Sequence, residues 1–155
     1  MYSFGRKNTY NPFIGVFRKE DINKGVYKLC NTLPGVITEI EVSKEQYEKA
    51  KALLDYFISN SALYKYNYKG LLYSLFNKPE CSENRFLCSE FVYHILKECG
   101  IADLKISRNL IRPQSLLNIE GRVVYNGNLK EIKLSRNSLF TKEMGIRRLS
   151  AIFED

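Results

Sequence analysis

Four cysteines, Cys30, Cys81, Cys88 and Cys99, and one histidine, His94, are the side chains here best suited to nucleophilic or metal chemistry. No two cysteines are spaced C-x-x-C, and four in 155 residues are too few for a disulfide scaffold. Cys88 stands out by position. It follows the apolar pair Phe86-Leu87 and opens a segment whose apolar residues (Cys88, Phe91, Val92, Ile95, Leu96, Cys99) recur at helical spacing. Amides in the first turn of a helix lack internal partners, and the helix dipole is positive there. Both favour a thiolate, and a neighbouring amide could hold an oxyanion. The competing reading, favoured by spacing alone, makes Cys88 a buried core cysteine on that stripe. Cys99, at the far end, meets the opposite field. It and Cys30 read as structural or incidental.

A dyad of Cys88 with His94 fails on geometry. Six residues of helix turn a side chain through about 240° and raise it by about 9 Å. A zinc site from Cys81, Cys88, His94 and Cys99 fails too, because Cys88 and Cys99 lie about 16 Å apart along the axis and zinc ligands sit about 2.0–2.3 Å from the metal.

The elements that would position Cys88 can be read from pattern. Residues 1–5 and 13–18 predict short strands around an Asn11-Pro12 turn, and residues 36–42 predict a half-buried strand with Thr38, Ile40 and Val42 on one face. Ser43 and Gln46 predict a capping box opening a helix to about Ile58, with Tyr47, Ala50, Leu54, Phe57 and Ile58 as its apolar face. A second helix is expected over Tyr68–Phe76, with Leu71, Leu72, Leu75 and Phe76 inward, followed by a loop over 77–84. The Cys88 helix should end at Gly100, a short helix should follow Pro113, and Asn126-Gly127 predicts a hairpin between 122–125 and 129–134. Residues 135–155 read as a tail or a final helix. Strands, then helices, then a hairpin predict an α+β domain over 1–134 with 135–155 as an extension.

Composition narrows the function. Hydrophobic residues make up 45% and charged residues 26%, which suits a globular chain rather than a disordered one. No apolar run can span a bilayer, and Met1-Tyr2-Ser3-Phe4-Gly5-Arg6-Lys7 has no secretory h-region, so a cytoplasmic location is expected. The net charge of +7 is concentrated at the start: residues 1–35 hold six basic and two acidic side chains, against twelve and eleven over 36–128. With no dense basic run interleaved with aromatics, nucleic-acid binding is the weakest reading.

Tyr64-Lys65-Tyr66-Asn67-Tyr68-Lys69-Gly70-Leu71-Leu72 followed by Phe86-Leu87-Cys88-Ser89-Glu90-Phe91-Val92 resembles the circularly permuted NlpC-like branch of papain-fold cysteine hydrolases. That branch includes YiiX-like bacterial proteins and is related to lecithin retinol acyltransferase. Arg112-Pro113-Gln114-Ser115-Leu116 and Val123-Val124-Tyr125-Asn126-Gly127 resemble later elements of the same branch. The likeness runs over roughly residues 1–130. It implies a papain-like fold in which Cys88 is the nucleophile, no cofactor is needed, and peptides, isopeptides or lipid esters are the substrates. It also implies a catalytic histidine on a strand before the cysteine, yet no histidine precedes Cys88. Aligned that way, the histidine strand falls ahead of Met1, and Ser3 takes the approximate place of the polar group that orients the base. A serine satisfied by backbone or water is the other reading of Ser3. The preferred explanation is a chain shortened at its start, and the alternative is a homologue that has lost its base. Three functions follow: a thiol hydrolase or acyltransferase lacking its base in this chain, a non-catalytic binding module whose basic first 35 residues meet an acidic partner, and a small basic nucleic-acid binder.

Overall fold

The computed structural model describes residues 2–6, 15–19, 21, 24–76, 78, 82–132, 140–143 and 146–154. Among the described residues the architecture is α+β, with two four-stranded sheets and four α-helices. The first sheet begins as a hairpin of β1 (Tyr2–Arg6) and β2 (Gly15–Lys19), whose register sets Phe4 opposite Phe17. Two short strands complete it, β4 (Lys65–Tyr66) antiparallel to β2 and β5 (Arg85–Phe86) parallel to β4. The second sheet is antiparallel throughout. It runs in the order β6 (Arg122–Asn128), β3 (Pro34–Val42), β8 (Ile146–Glu154), β7 (Phe140–Glu143).

Three of the helices carry the argument: α1 (Lys44–Ser59), α2 (Tyr68–Leu75) and α3 (Cys88–Glu98). A fourth, α4 (Pro113–Leu116), is a single turn with Pro113 at its start, as expected of a residue with no amide hydrogen to leave unpaired. At the head of α1 the capping box forms as read: Ser43 Oγ accepts from the Gln46 amide at 3.1 Å, and Gln46 Oε1 accepts from the Ser43 amide at 3.0 Å. Gly100 closes α3 with φ +65°, a conformation glycine adopts at no steric cost.

The main core is aromatic. Phe4, Phe17, Phe57, Phe86 and Phe91 are buried together, and the Phe91 ring of α3 lies 5.4 Å from Phe4, 5.0 Å from Phe17 and 5.1 Å from Phe57. Those edge-on contacts join α3 to β1, β2 and α1. A second cluster, Tyr93, Ile111 and Leu116, packs on another side of the same helix.

Four expectations are corrected. First, α3 is buried on two sides rather than along one stripe; Ser89, Glu90 and Tyr93 are inside, and Cys88 is exposed. Second, Leu72 and Phe76 point outward from α2; Leu71 and Leu75 have side chains outside the described residues. Third, Asn126-Gly127 is not a hairpin turn. Both residues stay in β6, paired with Val36 and Gly35 of β3, and Leu129–Glu131 forms a 3-10 turn instead. Asn128 takes over the turn, its Oδ1 accepting from the amides of Leu33 and Lys130. Fourth, the end of the chain is neither tail nor helix: β8 pairs with β3 from Gly35 to Val42. A register shift at Ile37/Thr38 also buries both of those neighbours, where strict alternation predicts one. Residues 11–14, 77, 79–81 and 133–139, on which the expected Asn11-Pro12 turn, the start of the second strand, part of the 77–84 loop and the end of the hairpin fall, lie outside the described residues.

Candidate active site

Cys88 is the first residue of α3 and is exposed, although Leu87, Ser89, Glu90 and Phe91 around it are all buried. The reading that made it a core cysteine therefore fails. The reason is visible in its two successors. Ser89 donates a short hydrogen bond, 2.6 Å, to the carbonyl of Ile111, which pulls one side of the first turn inward. Glu90 pulls the other. Its Oε2 accepts from the Leu87 amide at 2.9 Å, and both carboxylate oxygens lie 3.4 Å from Asn67 Nδ2. With residues 89 and 90 anchored inside, the helical rotation leaves residue 88 facing solvent.

Asn67 has a second task. Its Oδ1 accepts from the Gly70 amide at 2.8 Å and so caps α2. The fit is close: a Cβ on Gly70 would lie 2.1 Å from Asn67 Nδ2. The start of α2 and the start of α3 are thereby tied through one buried amide–carboxylate contact. Burial raises the pKa of Glu90 above the ordinary carboxylate range, while the Leu87 and Asn67 hydrogen bonds and the Arg108 charge oppose that rise. The guanidinium of Arg108 lies 4.4 Å over the Phe86 ring and donates to the Ser82 carbonyl.

His94 sits elsewhere on α3, its ring 5.3 Å from Phe86 and 5.9 Å from Phe57. Burial lowers its pKa, the Arg108 charge lowers it further, and Glu98, 3.9 Å away, pulls the other way. The half-buried imidazole packs at the edge of the aromatic core, and six residues of helix turn it about 240° from Cys88. Ser3 is half-buried in β1 opposite Arg18. It is preceded by Tyr2 and followed by Phe4, which pack in the aromatic core, so strand alternation turns Ser3 to the other face of the sheet from α3. Cys99 is buried, and that burial raises its pKa; Cys30 is exposed after a 3-10 turn. Cys81 lies outside the described residues. Among the described residues no cluster of three or more His, Cys, Asp or Glu could hold a metal ion.

Sequence reading missed Glu90 and Asn67 as anchors, although both leave local signals. A Glu at the third position of a helix reaches back to the cap amide, and an Asn three residues before a helical amide caps it. Arg108, distant in sequence, leaves none. No family model matches the chain, and neither the curated proteins nor the solved structures contain a significant match to it.

Proposed function

We propose that this chain is a papain-like thiol hydrolase or acyltransferase domain with Cys88 as its nucleophile. The observation that supports this most is the exposed thiol at the first position of α3, held there by two buried polar anchors on the residues that follow. In the reaction, the thiolate sulfur attacks an amide, ester or thioester carbonyl, and a C–S bond forms. The carbonyl π pair moves onto oxygen to give a tetrahedral oxyanion; when that pair returns, the bond to the leaving group breaks, and the leaving group departs with its bonding pair and the proton given up by the Cys88 thiol, relayed through water. Water or an acceptor alcohol then cleaves the C–S bond. In this reading the oxyanion is stabilised from the positive end of the α3 dipole, and the Leu87 amide is engaged by Glu90. Ser3 has no part in this scheme, since it lies on the other face of β1.

The proton acceptor is the weak point of catalysis in this chain. His94, the one histidine, is packed against Phe57 and Phe86. That same observation favours the second reading, a non-catalytic papain-like module. Incubation with an activated thioester followed by peptide mass spectrometry separates them. Acylation of Cys88 well ahead of Cys30, which is also exposed, abolished in Cys88→Ser, supports the nucleophile. Equal acylation of both cysteines supports the binding module.

A further inference from the structure

Helix α2 presents an apolar face that no described element covers. Leu72 is 61% exposed, Tyr73 42% and Phe76 73%. At about 100° per residue, Lys69, Leu72, Tyr73 and Phe76 fall within roughly 100° of arc, one stripe along the helix. The opposite side is anchored, since Gly70 is buried against Asn67. Among the described residues next to α2 in sequence or in strand pairing, the exposed charges are Lys65, Lys69, Lys78 and Arg85 against Glu83. Lys65 and Arg85 are register partners in adjacent strands, two like charges side by side at the root of α2. Lys78 stands at its other end, where its amide bonds the Tyr73 carbonyl.

We infer that this face of α2 docks on an anionic lipid surface, with Leu72 and Phe76 entering the acyl boundary and Lys65, Lys69, Lys78 and Arg85 meeting lipid phosphates. Three properties select a membrane over other occupants. The apolar residues are few and protrude from a helix rather than lining a groove. An amphipathic hydroxyl, Tyr73, sits between them at the depth where aromatic rings favour an interface. The flanking cations supply the attraction that so small an apolar area needs. The binding is peripheral: among the described residues no helix is long and apolar enough to cross a bilayer. The inference stands whether or not Cys88 is a nucleophile.

The chain contains no tryptophan, so Phe76→Trp installs a single reporter at an already exposed position. Its emission is followed while phosphatidylcholine vesicles, with and without phosphatidylglycerol, are titrated in. The expected result is a shift to shorter wavelength with anionic vesicles and affinity at least about tenfold weaker for neutral ones. Added salt should weaken the anionic response, and Leu72→Ser with Lys69→Glu in the same background should remove it. Val123→Trp, on the exposed part of β6, should stay unshifted. No shift with anionic vesicles overturns the inference, as does an equal shift at Val123→Trp. A shift that follows protein concentration without lipid assigns the face to a second copy of the chain and overturns it as well.

Discussion

At the scale of the residue, Glu90 is the side chain on which the start of α3 depends. It is fully buried, yet two donors reach its carboxylate. Glu90→Ala leaves the buried Leu87 amide without its acceptor and should cost about 1–3 kcal/mol, before any cavity is counted. Glu90→Gln keeps an acceptor for that amide and should cost less. The pH dependence has a definite sign. Burial raises the folded pKa of Glu90 above its unfolded value, so its contribution to stability is fully present below about pH 4.3 and is lost as pH rises through the folded value. The stability difference between wild type and Glu90→Gln, measured by denaturant titration across acid and neutral pH, should therefore move against the wild type as pH rises and then level off. A flat difference would show that Glu90 titrates as it does in water.

At the scale of the element, helix ends and the apolar face of α1 were legible in the sequence, and the faces of α2 and α3 were not. Ser43 and Gln46, Pro113 and Gly100 act through neighbours within four residues, and the structure uses each as read. Ser43→Ala should remove the cap of α1 and cost about 1 kcal/mol, seen as a lower denaturation midpoint with an unchanged slope. The faces of α2 and α3 depend on partners far along the chain. Periodicity assigns one buried stripe to a helix, but α3 lies between two clusters and buries Ser89, Glu90 and Tyr93 as well as Phe91. The failed hairpin has the same cause. Asn126-Gly127 has the local chemistry of a turn, but β3 offers both residues strand pairing, and Asn128 provides a better turn just beyond.

At the scale of the whole molecule, two sheets and an aromatic core hold α3 so that a single sulfur is left outward at its head. That placement was half legible. The pattern put Cys88 at a helix start, but only the buried anchors to Ile111 and Asn67, 22 and 23 residues from their partners, decide that it faces solvent. Cys30 provides an internal standard, because it is also exposed and is not at the head of an α-helix. The most direct measurement is the rate of iodoacetamide labelling at each cysteine near neutral pH, read by peptide mass spectrometry on the folded chain. Cys88 should label several-fold faster than Cys30, and Cys99 should be protected by burial. Labelling of Cys88 at or below the rate of Cys30 would contradict the nucleophile.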